Sequence, residues 1–288
     1  MKKLSLIAFT LLLAMAAVFA QRRFGGGGWG GGGGGWSESY VPDDAKTARE
    51  VESHSTGTPM WTNAPGFDKD VFTFCRIRRN RKWGSGGNWA TDTPDSDLNL
   101  SFRLQQVTSI KVNPNGRYLW LTDPELFKYP FIYMVEPGTL SLDDDEVAAL
   151  RKYLLNGGFL WVDDFWGEAE WEGMAEEIRK VFPDRKWVDL PLDHPLYHCV
   201  FDIKSKGQVP GIAVWERRHV TWERTDARET HHRVIFDDKG RIMIFATHNT
   251  DNGDGWEREG EDHYYFENFS EKISYPLGIN VIFYVMTH

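Results

Sequence analysis

Cysteine is scarce in this sequence: Cys75 and Cys199 are the only two among 288 residues. Two thiols cannot build the dense disulfide framework of a small secreted scaffold, and neither has a partner at metal-motif spacing, so a cysteine-type zinc site has no support. Long apolar runs are missing after residue 20, which excludes a transmembrane span in the mature chain. Basic charge is short as well, with 33 Lys and Arg against 42 Asp and Glu and a net charge of −9. Nucleic acid is therefore not an expected partner, because phosphate backbones are gripped by clustered Lys and Arg. The basic run from Arg76 to Lys82 is a local exception that suits a strand end or a small anion. No internal repeat is visible.

What is present begins with a leader. Lys2 and Lys3 precede an uncharged apolar run from Leu4 to Ala20, and Val18-Phe19-Ala20 has the small-x-small pattern of a signal peptidase site. Residues 1–20 are thus read as a signal peptide, and the protein as exported, periplasmic or extracellular. Its removal takes two lysines and no acids, leaving 31 basic against 42 acidic residues and a net charge of −11. Residues 21–66 follow as a glycine-rich and polar tether. FGGGGWGGGGGGW at residues 24–36 cannot form a packed core and is read as a disordered spacer, in preference to a segment whose Trp29 and Trp36 stick to a partner or polysaccharide. Residues 67–288 suit one α/β domain, and its two cysteines are read as free thiols in preference to a Cys75–Cys199 disulfide.

From Asp70 onward strand-like and helix-like segments alternate. Val71 to Ile77 reads as a strand, Pro94 to Ser109 as a helix, and Tyr118 to Leu121 and Phe131 to Val135 as short buried strands. Ser141 is placed to cap the next helix, whose stripe is Val147, Leu150 and Leu154 and whose end is Asn156-Gly157-Gly158. Phe159 to Val162 is the following strand, and Trp171, Met174, Ile178, Val181 and Phe182 mark a helix stopped by Pro183. Arg233 to Phe236 and Arg241 to Ala246 form a β-hairpin, and Leu277 to Met286 closes the chain as an apolar helix. The pattern implies a mostly parallel sheet covered by helices on both faces, flavodoxin-like, with the hairpin added near the C-terminus. Ligands of such sheets lie beyond the carboxyl ends of the strands.

The runs FTFCRIRRN, WATDTPDSDLNLSFRLQQVTSIKV, LTDPELFKYPFIYMVEPG, LSLDDDEVAALRKYLLNGGFLWVDDFWG, LPLDHPLYH and GINVIFYVMTH resemble, as a set, the bacterial domain of unknown function 4159 family. That resemblance covers about residue 70 to His288 and implies a fold similar to class I glutamine amidotransferases. In active enzymes of that class a cysteine stands on the sharp turn after a Gly-Gly-led strand, where the helix N-terminus lowers its pKa. The corresponding turn here is Asp163-Asp164-Phe165-Trp166-Gly167, with neither Cys nor Ser. Glutamine amidotransferase activity is not expected.

Two roles stay open for the aspartates. One carboxylate caps the helix beginning near Gly167 while the other bonds a neighbouring strand end, Asp164 being nearer the helix. Alternatively the pair holds a divalent metal or acts as acid and base, with His194 and His248 as companions and Asp163 the preferred ligand. Arg76 and Arg78 end the first strand, and Asp92, Asp97 and Asn99 begin the next helix, where a salt-bridged helix start is the plainer explanation. Asn249, Asp251 and Asp254 lie in THNTDNGDGWE, read as a polar turn because Gly253 breaks the alternation of a calcium loop. His194, before a proline, orders a loop as readily as it ligates. Trp83, Trp89, Trp166 and Trp256 fall in polar segments where sugar rings stack well, although loop tryptophans more commonly cover a core's edge. The ligand-binding candidates are Arg76, Arg78, Asp92, Asp163, Asp164, Trp166, His194, His248 and Asn249.

Two functions follow. The preferred one is a non-catalytic module binding an envelope protein or a small ligand, carbohydrate included; the alternative is a metal-assisted hydrolase acting on carbohydrate. The only cofactor either invokes is a divalent metal. The leader carries its own expectation: N-terminal sequencing of the exported protein begins at Gln21, and an intact Met1 contradicts it.

Overall fold

A computed structural model describes residues 41–67, 70–79 and 89–288. The expected signal peptide, the Gly/Trp tract and Trp83 lie outside them. The strands are, in chain order, β1 (Cys75–Arg78), β2 (Arg117–Trp120), β3 (Phe131–Val135), β4 (Phe159–Asp163), β5 (Val188–Asp189), β6 (His231–Phe236) and β7 (Ile242–His248). The main helices are α1 (Asp95–Val107), α2 (Asp144–Leu155), α3 (Gly167–Val181), α4 (Ile212–Arg218), α5 (Asn252–Glu257) and α6 (Tyr275–Thr287), the last reached through a π-helical stretch, Phe266–Ser274. The strands make one seven-stranded sheet in the order β2-β1-β3-β4-β7-β6-β5. The first five in that order run parallel, β6 is antiparallel to β7, and β5 is antiparallel to β6. The fold is α/β, as the alternation of segments implies.

Side chains alternate across the sheet because successive residues of a strand point to opposite faces. Phe131, Tyr133, Phe159, Trp161 and Phe245 face Leu100 and Leu104 of α1 and Leu277 and Val281 of α6. Ile132, Met134, Leu160, Val162, Ile244 and Ala246 face Leu150 and Leu154 of α2 and Met174, Ile178 and Val181 of α3. Among the described residues no helix is long and apolar enough to cross a membrane.

Three local features depart from the sequence reading. Phe72 makes only a single bridge to Val112, so the first strand is confined to β1. Asp143, not Ser141, caps α2: its carboxylate accepts from the Glu146 amide at 2.9 Å and Glu146 returns the bond to the Asp143 amide at 3.0 Å. The cause is Glu177 of α3, which holds the Leu142 amide at 2.7 Å and commits the chain before the cap. The folded body also extends back to residue 41, past the boundary expected at residue 67. Ala45, Ala48 and Val51 are buried against Leu98 and Tyr118, and Arg78 donates to the carbonyls of Pro42, Asp43 and Ala45.

The carboxyl edge of the sheet is pinned by one side chain. Asp163, the last residue of β4, is fully buried and accepts five hydrogen bonds: from Tyr133 Oη of β3 at 2.8 Å, from Thr247 Oγ1 of β7, from Asn252 Nδ2 at 2.8 Å, and from the Asn252 and Gly253 amides at 3.0 and 3.2 Å. The two amides begin α5, so Asp163 ties three strands to that helix. Asp163→Asn turns one oxygen into a donor facing donors and should cost about 3 kcal/mol. Urea unfolding with and without chelator checks this; wild-type stability in the variant refutes the pinning, and the loss should be the same in both solutions.

Candidate functional site

Each strand beside that anchor ends in strained backbone. Glu136, Asp164 and Asn249 directly follow β3, β4 and β7, and their φ values of 48°, 55° and 63° lie in the left-handed region. Asp92, in the turn before α1, has φ 64°. Non-glycine residues held there cost about 1–3 kcal/mol each and cluster where side chains must be aimed. At Asp92 and Asp164 the aimed groups are carboxylates. Asp92 and Asp164 are 5% and 9% exposed, and Asp251, which caps α5 by accepting from the Asp254 amide at 2.8 Å, is 5% exposed.

α5 supplies the rest. Asp251, Asp254 and Glu257 recur every third residue, which puts them along one side of a helical turn. Ligand oxygens of Asp92, Asp164 and Asp251 lie within 4.8 Å of one another, and so do those of Asp92, Asp254 and Glu257. Asp254 accepts from the Ile212 amide at the start of α4 and, at 3.1 Å, from Arg258 Nε; Glu257 lies 2.9 Å from the same guanidinium. Gly253 lets Asp92 approach, since any Cβ there would collide with Asp92 Oδ2. That oxygen is buried and has no hydrogen-bond partner among the described residues. Gly211 admits a sixth carboxylate: a Cβ on it would stand 2.6 Å from Glu223 Oε1, 3.5 Å from Asp251 Oδ2 and 3.6 Å from Asp254 Oδ2.

Crowding in a dry site raises proton affinity. Burial, and then Asp254, push Asp92 well above the usual carboxylate range. Burial does the same to Asp164, reinforced by Glu136 and Glu223, to Asp251, reinforced by Asp164 and Asp254, and to Glu257, reinforced by Asp92 and Asp254. Glu223 is pushed up to about 7 by burial and by Asp254. Such a set attracts either protons or a hard cation, and its all-oxygen donors suit calcium, magnesium or manganese.

The other candidates from the sequence lie elsewhere. His248 follows Thr247 on β7 and so points to the α3 face, where it stacks on Phe165 and bonds the Gly167 carbonyl at 3.0 Å; burial lowers its pKa to about 4. His194 packs on Phe236 and Tyr284 and its Nδ1 accepts the Leu196 amide. Neither histidine joins Asp164. Arg76 is fully buried in a salt bridge with Asp97, and Arg78 is spent on the N-terminal carbonyls. The first amides of α3 are taken by Asn249 Oδ1, at 2.8 Å from Gly167 N, and Asp226 Oδ2, at 3.1 Å from Glu168 N. The helix-capping role set out for Asp164 thus falls to Asn249 and Asp226. Trp166 donates its indole N–H to Asp164 Oδ1 at 2.9 Å, and Trp256 is core, not a loop residue. Asp163, with both carboxylate oxygens accepting hydrogen bonds, is an anchor; Asp164 is the member of the pair that meets other carboxylates. Cys75 and Cys199 are free thiols, the first buried in β1.

From residue 73 to residue 286 the chain matches a family described as a domain of unknown function, DUF4159. The chain belongs to that family. No curated protein matches it. The matched span runs from β1 into α6 and contains all six clustered carboxylates.

Glu223 provides a pH signature. Its folded pKa of about 7 exceeds the ordinary 4.5, so the folded state holds the extra proton between those values and stability falls as pH rises through that window. Glu223→Gln removes the effect. In chelator, the stability of the variant relative to wild type should rise by about 1–2 kcal/mol between pH 4.5 and pH 8, the full shift being discounted for partial exposure. Denaturation at several pH values measures it, and a constant difference contradicts the assignment.

Proposed function

We propose that this chain is an exported, cation-dependent binding module, in which a divalent ion held by Asp92, Asp164 and Asp251 organises the carboxyl edge of the sheet for an envelope protein or a small ligand such as a carbohydrate. The observation that carries this is Asp92 Oδ2, a buried carboxylate oxygen without a hydrogen-bond partner among the described residues, close to two further buried aspartates. A buried ionised carboxylate without compensation is costly, and a cation supplies the missing partner. The leader of residues 1–20 supports export.

The scaffold is proposed to be similar to class I glutamine amidotransferases. Asp164 stands in the left-handed turn after β4, the place a nucleophilic thiol takes in that class, and the neighbouring order β2-β1-β3-β4 is that of a flavodoxin-like sheet. Without a nucleophile on the turn, binding is favoured over acyl transfer. Metal-assisted hydrolysis is a second reading, favoured by Glu223, whose pKa of about 7 beside the aspartates suits a general base.

Melting curves test the cation. Millimolar calcium, magnesium or manganese should raise the wild-type melting temperature, the ion adding about 2.7 kcal/mol of stability at a hundredfold excess over Kd. Asp164→Asn and Asp251→Asn should lose that increment, yet match or exceed wild type in chelator because each relieves repulsion. A wild type indifferent to every divalent ion sinks the proposal.

A further inference from the structure

Asp92 belongs to both carboxylate triads, and the two share no other residue. Building on the cation site proposed above, we infer that the edge holds two divalent cations, one in Asp92/Asp164/Asp251 and one in Asp92/Asp254/Glu257, bridged by the Asp92 carboxylate. Three observations support the second ion. Asp92 is 5% exposed, and its Oδ2, without a hydrogen-bond partner among the described residues, lies against α5 at Gly253, which in the chain falls between Asp251 of one triad and Asp254 of the other. Both triads offer only oxygen, the donor set of hard divalent ions. The charges also need it: the five triad carboxylates and Glu223 bear six negative charges when ionised, and among the described residues Arg258 is the cation bonded to them. With Arg258 counted, one divalent ion leaves a net of minus three and two leave minus one.

The two positions are unequal. Arg258 already offsets the second triad, at 3.1 Å from Asp254 and 2.9 Å from Glu257. The triad with Asp164 therefore fills first, and the second ion binds more weakly. Two metals bridged at short distance form a clamp for two oxygens of one ligand group, which a single ion does not.

Manganese is the probe. Full-length protein stripped with chelator is titrated with Mn2+, and stoichiometry and electron paramagnetic resonance are read together. The expected wild type binds two ions in sequence, and its spectrum changes from an isolated-ion signal to an exchange-coupled one as the second enters. Glu257→Gln should bind one ion and keep the isolated signal. Asp92→Asn should abolish coupling and weaken the first ion at least about tenfold. One ion in the wild type, with an isolated signal untouched by Glu257→Gln, overturns the second position and leaves the first intact. A wild type that binds no Mn2+ overturns both, and the wild-type spectrum decides even where a variant fails to fold.

Discussion

The carboxyl edge of this sheet depends on the hydrogen bonds to Asp163. One buried carboxylate collects a phenol from β3, a hydroxyl from β7 and two backbone amides from α5, so the positions of three strand ends and one helix follow from a single group. Burial alone would push that carboxyl up, and the donors act against it. The helix fixed this way has a poor local reason to exist. Asn-Gly-Asp-Gly is a turn-like sequence with two glycines of low helix propensity, yet each glycine is required by what lies over it: Asp92 over Gly253 and Ser274 over Gly255.

Strain and charge are stored next to this anchor. Left-handed backbone at Glu136, Asp164 and Asn249 turns consecutive parallel strands sharply at one level, and Asp92 joins them from the first crossover. Asn249 spends its side chain on structure, receiving the Gly167 amide and donating to the Glu229 carbonyl. The two aspartates instead point carboxylates at α5. The cost of a left-handed turn and of burying acid is tolerated where Asp163, the sheet and α1 over-determine the backbone.

Much of the fold was legible because its signal is periodic. Apolar runs from Phe131 to Val135 and from Phe159 to Val162, separated by a helix with a clean stripe, imply buried parallel strands whatever else the chain does. The site was harder to read because it turns on single-residue distinctions. His248 looks like a companion of the aspartates in sequence, but alternation along β7 gives Thr247 to Asp163 and sends His248 to the other face. Asp163 and Asp164 are adjacent, yet one ends a strand and the other begins a turn, which gives them opposite surroundings. In THNTDNGDGWE the missing alternation argues against a calcium loop, while the spacing of three between Asp251, Asp254 and Glu257 was the available sign of a helix presenting carboxylates. Glu223 carried no local sign at all; it arrives through a long connection and is placed by Gly211. The segment from residue 41 to residue 66 lacks periodicity because a few small residues and arginine-to-carbonyl bonds hold it.

A set of buried carboxylates can be neutralised in two ways, and they compete. Protons do it without any ligand, and burial together with the neighbouring acids shifts Asp92, Asp164 and Asp251 upward in that direction. A cation must displace those protons, so any affinity for metal has to rise with pH across the range in which the carboxylates would otherwise hold them. Arg258 sets the balance between the two halves. Its guanidinium is held above its ordinary range by Asp254 and Glu257 despite burial, so it stays charged and offsets their half. The half built on Asp164 and Asp251 has no such built-in partner among the groups that shape their titration, all of which are acids beyond burial and local hydrogen bonds. Its charge state is consequently left to the solution, and the strained turn after β4 is the part of the molecule whose electrostatics an ion or a proton can change.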